Sequence, residues 1–421
     1  MNKESWWANA LIGLLLTGFV LASYALQSGF LETIELKSFD LRAQLRTNLD
    51  PTADIAIVDI DDESIERLGR WPWSRTVVSD LLRRIDSAGP RVVGLNVLYS
   101  EEERNPALAE LSALEKDYGA LLAEKRVVER GVSFATRFSS AAARLDADSH
   151  LLAVLRENTN IVLPMFFKDF EVTGGRPPEL PAAVSSFTMT ARLRAEGPLP
   201  VEASKASFPI VPFSKASGGL GHVNIFTDID GTVRRETPAI KYGGHFYPSY
   251  SLALVIRYLG LRSDEVKVAP GESVRVGNTT IPLDESQSML VTYNGVAETF
   301  RYYKCYEVLE GKVPAEVFKD KMVLVGPSAA GVGSRYVTPV ALALPIVEYS
   351  ANVVENILSK RFLVRPAWAF KAEAAAIALF GLFIMFGLPR LRALGGRPSL
   401  PCPWWGSPRR GRTFSRSAES G

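Results

Sequence analysis

Cysteine and histidine are scarce in this chain: two cysteines and three histidines in 421 residues. Cys305 and Cys402 fall on opposite sides of the membrane in the layout derived below, so they cannot pair within one molecule, and the fold must hold together without disulfides. His150, His222 and His245 show no metal-ligand spacing, and no His-based metal site or other cofactor is expected. Catalytic signatures are missing too: there is no Gly-x-Ser-x-Gly elbow, no phosphate-cradling Gly-x-x-x-x-Gly-Lys and no His-Glu-x-x-His. Basic clustering is confined to the C-terminus. The chain carries +2 overall, yet residues 389–421 hold seven arginines against one glutamate, which leaves −4 on the rest. The remainder has no basic face that would grip a nucleic acid.

Long apolar runs are also few, and both lie at the ends. Trp7–Leu26 is uncharged and matches the roughly 20 residues that cross a bilayer core. Ala367–Leu388 is weaker: its uncharged stretch is Ala374–Leu388, and a full span needs Lys371 and Glu373 at headgroup level. The arginine-rich stretch after it places the C-terminus in the cytoplasm, and two crossings return the N-terminus there. The expected layout is a cytoplasmic N-terminus at 1–6, spans at 7–26 and 367–388, an exported region at 27–366, and a basic, disordered cytoplasmic tail at 389–421. The alternative for the first run is a cleaved secretory signal, with Lys3 before it and Ser23-Tyr24-Ala25 after it. Either way the central region is exported.

Within that region, Phe30–Arg46 reads as a helix continuing from the membrane. Ile55–Ile60 and Val92–Leu98 read as buried strands; Ser64 is expected to cap the helical stretch after it, and Val77–Ala88 reads as a helix between the strands, the order of a parallel crossover. Glu101–Asp148 is a charged, Ala-rich helical stretch, either a solvated excursion or a dimerising coiled arm. Further strands are expected at Ile161–Phe167, Gly221–Phe226, Met289–Tyr293 and Met322–Val325. Val274–Val276 and Ile281–Leu283 form a hairpin about Gly277-Asn278. Helices are expected at Tyr250–Leu259 and Val347–Leu358. The fold class is therefore α/β, a mixed sheet covered by helices on both faces and flanked by N- and C-terminal transmembrane helices.

Three constellations are candidate ligand contacts. Asp59, Asp61 and Asp62 end a strand, where ligands gather in open α/β sheets; they would hold a cation or ligand, or cap a turn and pair with Arg75. In Gly69-Arg70-Trp71-Pro72-Trp73-Ser74-Arg75, Trp71 either lines a pocket or wedges a loop. Asp228-Ile229-Asp230-Gly231-Thr232 resembles the nucleophile motif of haloacid-dehalogenase-type phosphatases, which gives an exported phosphohydrolase as the alternative function. The other reading of the same residues is a tight turn at Gly231 whose acids bind Arg234 or Arg235.

Phe39-Asp40-Leu41-Arg42, Ile57–Ser64, Gly69–Arg75, Asp228–Arg235, Tyr293-Asn294-Gly295, Lys321–Gly326, Thr338-Pro339, Val347-Glu348 with Ala351-Asn352, and Arg365-Pro366 together resemble, in order and spacing, the class-two CHASE domain. The resemblance covers residues 36–366. It implies an extracytoplasmic sensor of bacterial membrane-bound nucleotide cyclases and histidine kinases that binds an unidentified small molecule or protein, contacts the lipid bilayer, and pairs with itself or with a full-length receptor. Asn96, Ser334, Ile346 and Ser350 depart from similar sequences, which usually carry Asp, Asp, Gly and His there. Similar proteins continue into further membrane helices and a cyclase or kinase, so the last 33 residues read as a truncated or out-of-frame end, and no catalytic residue is expected.

Overall fold

The computed structural model describes residues 3–25, 29–46, 50–51, 54–124, 134–170, 177–192, 199–366 and 368–387. The expected tail at 389–421 lies outside them. The chain divides into two compact units, Met1–Glu32 with Arg365–Gly421, and Thr33–Val364.

In the first unit, α1 (Lys3–Ala25) packs on the helix Ala369–Leu382, which runs on as a π-helical turn to Gly387. Small residues let the backbones approach: a side chain at Gly13 would collide with Met385, and one at Gly381 with Thr17. Thr17 meanwhile donates its hydroxyl to the Gly13 carbonyl at 2.7 Å. Leu14, Leu15 and Phe19 of α1 and Leu379 and Phe380 of its partner remain exposed. Among the described residues one helix, Ala369–Phe386, is long and apolar enough to cross a membrane; the apolar stretch found in α1, Gly13–Ser23, is shorter.

The second unit is built on a seven-stranded sheet. Across it lie Arg301–Lys304, β1 (Ile55–Ile60), Met322–Pro327, β2 (Val92–Leu95), β3 (Ile161–Lys168) and Lys205–Ser207, with Gly219–His222 also pairing with β3. All pairings are parallel except that of Lys205–Ser207, so the sheet is mixed. Period-two alternation splits its side chains between two cores. Ile57, Val92, Val162 and Leu324 face the helices Tyr250–Tyr258 and Ile346–Leu358. Val58, Leu95, Leu163 and Val323 face α4 (Arg75–Asp86) and α7 (Ala147–Glu157). Smaller sheets accompany this one, including the expected hairpin, Ser273–Val276 with Thr279–Pro282, which turns through Gly277 at φ +54°.

Several boundaries differ from expectation. β1 and β2 are parallel but not adjacent, because Met322–Pro327, five of whose six residues are buried, inserts between them. β2 stops at Leu95, and Gly219–His222 replaces the strand expected at Gly221–Phe226. Ser64 does not cap the helical stretch after it but lies inside it. Asp61 caps α3 (Asp62–Leu68) and Ser74 caps α4, while Ser64 is buried and accepts from the Tyr306 amide at 3.3 Å. The charged excursion folds as α5 (Pro106–Ala123) against α6 (Phe134–Leu145), with Tyr118 edge-on to Phe134 and Phe138, and neither helix has a buried residue.

Candidate functional site

The acids at the end of β1 do not converge. Asp59 accepts from the Ser328 hydroxyl at 2.6 Å, and its other oxygen is buried without a partner among the described residues. Burial pushes its carboxyl up to about 6, against the pull of that hydrogen bond. Asp61 caps α3 through the Ser64 amide at 2.8 Å, and Asp62 accepts from the Ala330 amide at 3.2 Å. Among the described residues no three His, Cys, Asp or Glu side chains are grouped to hold a metal ion. Arg75 is not their partner. It sits in the first turn of α4, where it pairs with Asp148 and bonds to the Glu101 carbonyl, between the rings of Tyr99 and Phe213. Trp73 is buried and donates to the Gly69 carbonyl at 2.8 Å. Half-buried Trp71 meets it edge-on at 5.1 Å, so this pair is a packed wedge.

The Asp228–Arg234 segment forms the expected turn, with Gly231 at φ +78° and its amide bonded to the Asp228 carbonyl at 2.9 Å. Arg234, 1% exposed, uses every N–H of its guanidinium. Nε and Nη2 fork onto Asp40 at 2.7 and 2.8 Å; Nη1 reaches Asp228 at 2.9 Å and Asp230 at 2.8 Å; Nη2 also reaches Asp230 at 2.8 Å. The Arg234 hydrogen bonds hold the Asp230 carboxyl far below the usual range. Lys37 adds a contact to Asp230 at 3.2 Å, and Arg235 pairs with Asp228 and Asp284. Both acids of the phosphatase-like motif are thus taken up by cations of the same chain. Because Asp40 lies on α2 (Gly29–Leu45), the cluster clamps that helix to the body of the second unit.

A different kind of site lies where Gly219–His222 meets the helices Tyr250–Tyr258 and Ile346–Leu358. Glu236, Tyr349, Tyr250, Ser251, Ile346 and Ser350 are among the residues lining a half-open crevice of about 10 Å³, while the His222 ring packs 6.0 Å from that of Phe167 on the other face of its strand. His222 is 1% exposed, and neither of its ring nitrogens has a partner among the described residues. Burial pulls it down to about 3 and keeps it neutral. Glu236, 4% exposed, accepts from Tyr349 at 2.6 Å; burial raises its carboxyl to about 7 although the Ser249 and Tyr349 hydroxyls counteract that rise. Two of the departures from similar sequences, Ile346 and Ser350, fall on this wall. Among the described residues, a wider cavity of about 220 Å³ between Pro177–Leu180 and Tyr242–Tyr247 has no buried side-chain polar atom without a partner.

Sequence reasoning therefore brought Asp228, Asp230 and Arg234 together correctly, but scattered Asp59, Asp61, Asp62, Trp71 and Arg75 belong to separate local structures. It passed over Asp40 as a ligand of Arg234, and His222 and Glu236 as buried polar groups. A histidine inside the otherwise apolar run Leu220–Val223 was the available signal.

Residues 13–388 match the CHASE2 domain. The chain belongs to the CHASE2 family, whose members are extracellular sensor domains of signalling receptors rather than catalytic domains. No curated protein and no solved structure resembles the chain closely enough to count as a match.

Proposed function

We propose that this chain is the membrane-anchored sensor of a receptor of the nucleotide cyclase or histidine kinase type, with residues 27–366 outside the bacterial plasma membrane and both termini in the cytoplasm. The observation that carries the reading is the CHASE2 match across 13–388, which takes in most of both terminal apolar runs as well as the sheet domain between them. Two features support it. The helix Ala369–Phe386 is long and apolar enough to span, and Thr17, Gly13 and Gly381 make the close helix contact that lipid-embedded helices use. In addition, α2 follows the first apolar helix in sequence and is tied to the sensor body through Asp40 and Arg234, so a shift in that body has a covalent route toward the bilayer. As a receptor component it would pair with itself or with a homologous full-length receptor.

Reporter fusions test the placement. Alkaline phosphatase inserted in the exposed arm near Asp117 should be active and a fluorescent protein at the same point dark, with the reverse for fusions ahead of Trp6. A fluorescent arm fusion would overturn the reading.

A further inference from the structure

We propose that the arm formed by α5 and α6 is the surface through which two copies of this chain pair, with α5 of each copy lying along α6 of the other. The role of such a pair in signalling rests on the sensor reading; the surface itself rests on the arm's geometry.

The arm is an antiparallel hairpin. Asn105, which caps α5, donates its side-chain amide to the Leu145 carbonyl at the end of α6 at 3.0 Å, and Ser139 donates its hydroxyl to Glu115 at 2.7 Å. Helices of 18 and 12 residues draw their stability from packing an apolar face, yet neither of these buries a residue. At 3.6 residues per turn the two open faces of the hairpin differ. One presents Ser112, Gly119 and Ser139 and is polar. The other presents Leu114 and Leu121 from α5 with Phe134 and Ala141 from α6, each pair at heptad spacing; Leu114 is 48% exposed and Phe134 53%. A heptad-spaced apolar face is the seam of a helix bundle, and here nothing in the same chain covers it among the described residues.

The two edges of that face carry opposite charge. Glu110 and Asp117 border it on α5, while Arg137 and Arg144 border it on α6, where the Arg137 guanidinium lies 5.5 Å from the centre of the Phe134 ring. A two-fold axis parallel to the helices brings α6 of a second copy over α5 of the first, so an acidic edge meets a basic one on both sides. An axis across the helices would set acid against acid. The face is therefore complementary to itself in shape and in charge, whereas an anionic lipid surface would call for a rim of bases alone.

The test is light scattering of the purified full chain in detergent over a concentration series, which should show a dimer that dissociates on dilution. One variant carries Glu110→Arg with Asp117→Arg and a second carries Arg137→Glu with Arg144→Glu; each should weaken the dimer at least about tenfold. An equimolar mixture of the two should restore it, because a basic arm then meets an acidic one, and that recovery also shows that both variants fold. Leu114→Ala should weaken the dimer about tenfold, since the two-fold axis removes the side chain twice, while folding stability stays within the small change expected at an exposed residue. A parent that is monomeric at every concentration would overturn the proposal, as would a dimer that survives in both charge variants or a mixture that stays monomeric. Each of these results would leave the sensor reading standing, because fusion mapping tests that separately.

Discussion

The Arg234 clamp and the His222 ring are both buried and polar, yet they are opposites in how their hydrogen bonds close. Arg234 spends all its donors on three carboxylates drawn from α2 and from its own turn. His222 is as deeply buried and spends none. A saturated cluster fixes one arrangement of the chain, whereas an unsaturated one lowers stability and leaves chemistry available to something from outside. The clamp ties α2 to the sheet domain, whereas the His222 ring leaves both nitrogens unengaged among the described residues.

The largest effect that distinguishes them is the removal of the clamp's cation. Arg234→Met leaves Asp40, Asp228 and Asp230 crowded without it, and urea unfolding should show a loss of about 3–5 kcal/mol. Next comes the pH response of Glu236. Its folded carboxyl titrates at about 7 against an ordinary 4.5, so the folded state keeps the proton longer than the unfolded one. That group's contribution therefore falls as pH climbs from about 4.5 to about 7 and stays flat above. Melting curves of the parent minus Glu236→Gln should reproduce this fall, by up to ~3 kcal/mol. His222→Phe should carry the opposite sign to the clamp variant. The ring nitrogens are lost beside Phe167, whose ring lies 6.0 Å from that of His222, and urea midpoints should rise or hold, with a gain of about 1 kcal/mol. A drop comparable to that of Arg234→Met would break the comparison. The smallest effect is expected on the arm: Leu114→Ala, at a residue 48% exposed on α5, should change stability by no more than about 0.5 kcal/mol.

Much of the fold was legible because burial writes a local period. The apolar run Ile55–Ile60, the spacing of Leu81, Leu82 and Ile85, and the Gly277-Asn278 turn each became the expected element. What the sequence concealed was pairing between distant segments. Met322–Pro327 is plainly a strand, but its place between β1 and β2 depends on contacts more than 200 residues apart in number. Arg301–Lys304 was missed because an edge strand half in solvent carries no apolar run, only Arg-Tyr-Tyr-Lys. The candidate sites follow the same rule. Asp230 lies four residues from Arg234 and was read as its partner, while Asp40, 194 residues upstream, was not. His222 was weighed for metal-ligand spacing, which it lacks, when its meaning lies in being polar and unpartnered in a buried strand.

The measurement that bears most directly on the clamp as the coupling point is amide hydrogen exchange of the full chain carrying Arg234→Lys. Lysine keeps the charge but cannot fork onto Asp40. Residues 33–45 of α2 should then exchange more than about tenfold faster while the helices Tyr250–Tyr258 and Ile346–Leu358 keep their protection. Unchanged exchange in α2, or equal loss of protection in all three helices, would contradict the account.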